Sequence, residues 1–342
     1  MIEYNKLIFE IFSIKSDSFE LFLFIIFSLL VSLAIDLICG ELPTKIHPVV
    51  IIGSFINFFK SKFIAMKSKL SGLLLVLSTG VCVSVLLYIL YSIFSINGIL
   101  LFIFFSVMLS STFSVNMLLR TAVDVKADLD ESIDKARKSV SYLVSRNTGE
   151  LTESFIVSAV IESLSENITD SYIAPIFYFA IFAVVIMIWP FDNQLYFLLL
   201  IPMIYRMFNT LDAMVGYTTD ELKNIGYVPA KADDVLNYVP ARIAGAYVVI
   251  SAYLLKLNGK NSYRMLRRDA RKCPSPNSGF TMATTAGALN IQLIKKGTYV
   301  LGDANKEIGK DDITKAVNLS RMTIALFTLT ILILLTLVYV IL

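Results

Sequence analysis

Long apolar runs joined by short polar stretches make up most of the 342-residue chain. The runs best suited to cross a bilayer are Leu21–Ile38, Leu73–Ser95, Ile99–Leu119, Ile173–Pro190, Leu195–Phe208 continuing to Met214, Val239–Leu257 and Met322–Leu342. Most approach the roughly 20 apolar residues that a helix needs for the passage, and none alternates in the manner of a barrel strand. The pattern therefore predicts an all-α, polytopic integral membrane protein with about six to eight transmembrane or re-entrant helices. No fixed period and no similarity between halves interrupts it. A single membrane domain over residues 1–342 is the economical organisation, with cytoplasmic helical insertions at about 120–170 and 258–321. The first insertion, "DVKADLDESIDKARKSVSYLVSR", places Val125, Leu129, Ile133, Ala136, Val140 and Leu143 at helical spacing, which predicts an amphipathic helix against the domain or the membrane surface. The second opens on the helical run "NSYRMLRRDARKC", which Pro274 and Pro276 terminate.

Composition agrees: 56% of the residues are hydrophobic and the mean hydropathy is +0.72, beyond what a soluble domain needs for its core. No small-residue cleavage site follows the first apolar run, so it is expected to stay as a helix. Cys39, Cys82 and Cys273 lie far apart and suggest neither a disulfide framework nor a zinc site. The net charge of +3 is modest, and no nucleic-acid partner is expected. Its distribution says more. Lys and Arg crowd into Lys45–Lys69, Arg120–Arg146 and Lys260–Arg321, while the connections near Ile96 and Asp192 carry none, so the basic loops are expected on the cytoplasmic side. This arrangement conflicts with a full crossing by Val239–Leu257, whose Pro240, Arg242 and Gly245 favour a re-entrant segment; otherwise "SGFTMATTAGALNIQLI" would have to return across the membrane.

Polar residues interrupt the apolar pattern at a few places. "IESLSENITDSYIAP" spaces Glu162, Glu166 and Asp170 four apart on one helix face, where like charges repel and a cation would relieve them. Hard carboxylate oxygens suit Mg²⁺ or an ammonium substrate; a solvated helix end is the plainer reading. In "YRMFNTLDAMVGY", Tyr205, Asn209, Asp212 and Gly216 form a polar stripe on an apolar helix, with Arg206 beside it as a partner or a phosphate reader. "KADDVLNYVPARIAG" adds Asp233 and Asp234 as further metal candidates, with Asn237 and Arg242. "DARKCPSPNSG" sets Asp269, Arg271, Lys272, Ser275 and Asn277 around a break between helices, where basic side chains and a helix start suit a phosphate; contact with anionic lipid would also use the charge. His47, the one histidine, precedes a proline and reads as a capped turn. No Walker A, G-x-S-x-G or dinucleotide fingerprint is present.

At these residues the chain resembles the adenosylcobinamide-phosphate synthase family of cobalamin biosynthesis, the CbiB/CobD membrane enzymes. The resemblance rests on "DLICGELPTKIHPVVIIG", "RNTGEL" leading to "VIESLSENITDSYIAPIFYF", "YRMFNTLDAMVGY", "ADDVLNYVPARI", and "DARKCPSPNSGF" followed by "AGAL". The chain departs from the family pattern at Glu41 and Leu42, at Asn147 in place of Asp, and at Cys273 in place of His. The family implies a ligase that joins an amino-alcohol phosphate to a propionate of adenosylcobyric acid, with ATP as cosubstrate and Mg²⁺ as cofactor. It implies a multi-pass protein of the cell membrane with a cytoplasm-facing site and other membrane-associated enzymes of the late pathway as partners. On this reading Glu162, Glu166, Asp170 and Asp212 are the catalytic candidates; Glu166, Asp170, Asp212, Asp233 and Asp234 are the metal candidates. Arg206, Asn209, Arg242, Asp269, Arg271, Lys272, Ser275 and Asn277 are expected to hold substrate and phosphate. A corrinoid carrier without chemistry is the alternative of another class. A CDP-alcohol phosphotransferase, suggested by "DDVLNYVPAR", lacks the spacing that family requires.

Overall fold

The computed structural model describes residues 18–144, 147–295 and 297–342. Among them, seven helical segments are long and apolar enough to cross a membrane: Ser18–Cys39, Pro48–Met66, Lys69–Phe94, Gly98–Glu131, Glu153–Ile188, Gln194–Val215 and Asp311–Ile341. The pair Tyr227–Leu236 and Tyr238–Leu254, bent by 45° at its break, is an eighth candidate as a broken span or re-entrant loop. Ile38, Val81, Ile93, Leu334 and Val340 stand exposed on these helices. Lipid solvates such a surface and water does not. The protein is a polytopic, all-α membrane protein.

The chain forms two compact units, each assembled from separate stretches. The first, residues 1–114, 175–235 and 330–342, contains α1 (Ser18–Cys39), α2 (Pro48–Phe63), α3 (Lys69–Phe94) and α4 (Gly98–Ser110). Aromatic and small residues hold it. Phe24 of α1 meets Phe102 and Phe105 of α4 edge-on at 5.7 and 5.1 Å, and the Ser32 hydroxyl donates to the Ser106 carbonyl at 2.9 Å. In lipid, where apolar surface gains nothing by leaving the solvent, such close packing and interhelical hydrogen bonds carry the association.

The second unit, residues 115–174 and 236–329, contains α5 (Val115–Glu131), α6 (Ile133–Val140) and α7 (Glu153–Ile168), the last running through a π-helical turn at Thr169–Ile173 into α8 (Ala174–Ile188). Helices α9 (Gln194–Val215) and α10 (Tyr227–Leu236), which belong with α8 to the first unit, follow in the chain; then come α11 (Tyr238–Leu254), α12 (Gly259–Asp269) and α13 (Gly279–Leu289) of the second. An antiparallel hairpin of β1 (Gln292–Lys295) and β2 (Tyr299–Gly302) precedes the last helix, α14 (Asp311–Ile341). Every residue of α13 is buried. Its Gly287 lets α12 approach so closely that a Cβ there would lie 2.6 Å from the Asn261 carbonyl oxygen. The backbone carbonyls left at this crossing accept from Asn261 Nδ2 at 3.0 Å and from the Ser262 hydroxyl at 2.9 Å.

Four expectations change. Lys45–Lys69 is not a loop: its apolar centre, "PVVIIGSFINFF", forms most of α2, whose last turn carries Lys60 and Lys62. The amphipathic helix expected from residue 124 onward is two helices, α5 and α6, divided where Ser132 caps α6 by accepting from the Lys135 N–H. A return across the membrane by "SGFTMATTAGALNIQLI" is excluded, because α13 has 11 residues and spans about 16 Å, half of the hydrocarbon core. The residues after it form the hairpin, which the apolar pattern did not announce. Ser145 and Arg146, the latter opening the "RNTGEL" block, lie outside the described residues.

Candidate active site

Helix α7 brings Glu162 and Glu166 into the second unit one turn apart, and the hairpin closes over them. Together with Ser163, Asn167, Lys295 and Tyr299, and with Leu143 and Val144 on an apolar edge, they line a polar cavity of about 120 Å³. Glu162 is held firmly. Its Oε1 accepts from the Ser158 hydroxyl at 2.7 Å and its Oε2 from the Tyr299 hydroxyl at 2.8 Å. Ser158 in turn accepts from the Ile294 N–H of β1 at 3.3 Å, so the strand, the helix and the carboxylate fix one another. Burial and the neighbouring Glu162 keep the Tyr299 phenol far above its ordinary pKa, so it remains a neutral donor. Glu166 accepts a hydrogen bond from Ser278 and lies in the field of Lys295. The cation that relieves the two acids in this structure is therefore a lysine from a strand. Asp170 sits in the π turn, where the register of α7 is lost, and does not line the cavity.

The break between α12 and α13 is built around buried polar groups. The Asp269 side chain is 0% exposed; it accepts from Arg268 Nε and Nη2 at 2.7 Å each, from Lys272 Nζ at 2.6 Å and from the Gly302 N–H at 2.8 Å. Burial alone would raise its pKa, but these donors outweigh it and hold the carboxyl down to about 2. An anion so engaged does not bind phosphate; it places Arg268 and Lys272. Arg242 of α11 stacks between the rings of Tyr238 and Phe280, 3.5 and 4.2 Å from their centroids. Its guanidinium donates to Asn277 Oδ1 at 2.9 Å and to the Pro276 carbonyl at 3.2 Å, which fixes the proline turn. Asn277 is buried, Ser275 accepts from its N–H at 3.3 Å, and Arg271 and Lys272 stand exposed beside it. Cys273 is buried, which pushes its thiol up to about 11 despite a hydrogen bond from Ser278.

In the first unit a separate polar group gathers on α9. Arg206 Nη1 donates to Asn209 Oδ1 at 3.1 Å, while its buried Nε has no hydrogen-bond partner among the described residues. Asp212 lies within electrostatic range of Asp234 on α10. Gly216 ends the helix in a place only glycine fits, since a Cβ would fall 2.0 Å from Asp212 Oδ1. His47 caps α2, its Nδ1 accepting from the Val49 N–H at 3.2 Å. Burial lowers its pKa, with Arg206 adding to the effect and Glu41 opposing it. Tyr178 and Asp233 interact in the same unit.

The structure thus brings Glu162 with Glu166, Arg242 with Asn277, Ser275 with Asn277, Asp269 with Lys272, Arg206 with Asn209, and Asp212 with Asp234. Sequence reading missed Lys295, Tyr299 and Ser158. The signal for the first two was present in "QLIKKGTYVLG", a short β-prone run folded at a glycine that takes φ +73°. As to Mg²⁺, no three Asp, Glu, His or Cys side chains converge as ligands among the described residues. Mg²⁺ commonly takes one or two carboxylates and completes its shell with water and substrate phosphate, so Asp212 with Asp234, or Glu166, fits as a donor set.

The family model described as CobD/Cbib protein matches residues 29–325. A probable cobalamin biosynthesis protein CobD of Methanothermobacter thermautotrophicus is 44% identical over 303 residues, 88% of this chain and 95% of that one. Proteins of the same name from Methanococcus aeolicus and Methanocaldococcus jannaschii are 38% and 36% identical, covering 82% and 85% of this chain and 89% and 91% of theirs. No solved structure matches the chain significantly. Matched across both units and at this identity, the chain belongs to the CobD/Cbib protein family.

Proposed function

We propose that the protein acts in cobalamin biosynthesis as an adenosylcobinamide-phosphate synthase, joining an amino-alcohol phosphate to a propionate side chain of adenosylcobyric acid with consumption of ATP. Membership of the family supports the pathway. The observation that carries the chemistry is the cavity in which two glutamates and a lysine meet, tied through Ser278 to the proline turn with its exposed Arg271 and Lys272.

A carboxylate and an ammonium do not form an amide in water unaided. Transfer of the ATP γ-phosphoryl group to the propionate oxygen gives an acyl phosphate and ADP. The amine nitrogen then attacks the carbonyl carbon, the bond from carbon to the phosphate oxygen breaks, and orthophosphate leaves. The ammonium must first lose a proton, and in this reading Glu166 accepts it, with Glu162 and Tyr299 holding the helix face and hairpin in position. Arg271, Lys272 and the Ser275–Asn277 turn are the candidates for holding phosphate beside this cavity, and Arg206 with Asn209 is a separate candidate within its own unit. Mg²⁺, held by Asp212 with Asp234 or by Glu166, would neutralise phosphate charge. The clustering of Lys and Arg supports a cytoplasmic side for this chemistry, where ATP is available.

The test is ADP release by the protein in proteoliposomes. It should require both adenosylcobyric acid and an amino-alcohol phosphate, and Glu166→Gln and Asp212→Asn should each lower turnover at least about tenfold. Unchanged turnover and Mg²⁺ dependence in both variants would remove the carboxylate assignment. Corrinoid flux without ATP-dependent product would replace the ligase by a carrier.

A further inference from the structure

Glu166 and Lys295 line one cavity with opposite charges, yet they close no ion pair. The Lys295 ammonium closes no hydrogen bond or ion pair among the described residues, although the neighbouring Glu162 is bound on both oxygens. A lysine beside two acids ordinarily collapses onto one of them; here the cavity lies between. Asn167 and Ser163 add neutral groups to the lining, although Asn167 Nδ2 is already turned to the Ser163 carbonyl at 2.9 Å. A space with a free carboxylate oxygen on one side and a free ammonium on the other complements a short zwitterion. At about 120 Å³ it admits a ligand of a few heavy atoms and not a corrinoid.

We propose that this cavity is the subsite for the aminoalkyl phosphate, in which Glu166 receives the ligand's primary ammonium and Lys295 its phosphate. The proposal rests on the function given above and adds to it a site and a residue, Lys295, outside every motif read from the sequence. Tyr299 is a positioning residue. Its hydroxyl donates to Glu162 Oε2 and fixes that carboxylate beside the cavity.

Binding without ATP or corrinoid tests the assignment, using calorimetry on the full-length protein in detergent with ethanolamine phosphate, ethanolamine and ethyl phosphate as probes. Lys295→Gln should raise the Kd for ethanolamine phosphate roughly ten- to hundredfold and leave that for ethanolamine unchanged. Glu166→Gln should raise the Kd for ethanolamine phosphate and ethanolamine and leave ethyl phosphate unchanged. Lys295→Arg, which keeps the charge, should bind ethanolamine phosphate within about threefold of the parent. Equal weakening of all three probes by Lys295→Gln, or no weakening, overturns the proposal, as does failure of the arginine variant to bind when it melts like the parent. If the mirrored pattern appears but no amide forms with ATP and adenosylcobyric acid, the subsite stands and the ligase falls. If amide forms and Lys295→Gln leaves the KM for ethanolamine phosphate unchanged, the ligase stands and the subsite falls.

Discussion

Replacing Asp269 by alanine should be among the most damaging single changes in the second unit. The carboxylate is wholly buried and accepts four hydrogen bonds, three from cations and one from the Gly302 N–H. Arg268 and Lys272 are 41% and 47% exposed, so water recovers part of what they lose, and each bond counts below the full worth of a buried ion pair. The Gly302 N–H is buried and recovers nothing, at about 1–3 kcal/mol. Together these give about 3–5 kcal/mol for Asp269→Ala, within the range for breaking a buried pair, or on the order of 10 °C in the apparent Tm. Asp269→Asn keeps an acceptor for Gly302 and should lose about half as much. In the double variant Arg268→Ala/Asp269→Ala the losses should sum to less than the separate values, because the residues share bonds. The pH dependence has a fixed sign. A carboxyl held down to about 2 contributes fully above its ordinary value near 4 and loses that contribution as the pH falls toward 2. Melting of the purified protein in detergent from pH 7 to pH 2.5, followed by tryptophan-independent light scattering and far-UV dichroism, reads both effects. A Tm for Asp269→Ala within about 1 °C of the parent would refute the reasoning.

Tyr299→Phe removes one donor to Glu162 and should lower turnover about fivefold with little change in overall fold, as about 1 kcal/mol is lost at that bond; unchanged kinetics would show that the bond positions nothing. Gly216→Ala places a Cβ against Asp212 Oδ1, so the carboxylate must move; kcat should fall while Gly309→Ala, where a Cβ meets nothing within 4 Å, should behave as the parent. Cys273, with its thiol pushed up to about 11, should resist iodoacetamide at pH 7.5 and react faster as pH rises toward that value; rapid labelling at neutral pH would contradict its burial.

The membrane helices were legible because a bilayer imposes length and apolarity on each of them, and the breaks at Pro274, Pro276 and Gly279 were legible because proline and glycine act locally. Helix α2 was hidden by the lysines at its ends: Lys45, Lys60 and Lys62 drew the whole stretch into a basic loop, although twelve residues between them are mostly apolar. The hairpin was hidden by its size, since four-residue strands give too few alternations to register. Lys295 and Tyr299 went with it, a lysine in a basic connection reading as surface. The residue types of the site were visible in the motifs, but their partners were not. Arg242 finds Asn277 across 35 positions and Glu162 finds Tyr299 across 137, and nothing local to either member announces such a pairing. Asp170 illustrates the reverse error: a four-residue spacing places three acids on one face only while the helix stays α, and the π turn at Thr169–Ile173 ends that.

The account stands or falls on amide formation. Purified protein incubated with adenosylcobyric acid, ATP, Mg²⁺ and either ethanolamine phosphate or 1-amino-2-propanol phosphate should yield, by mass spectrometry, a corrinoid heavier by the amine component less one water, only when ATP is present. Absence of that mass with both amines, from protein shown to be folded, would contradict the ligase.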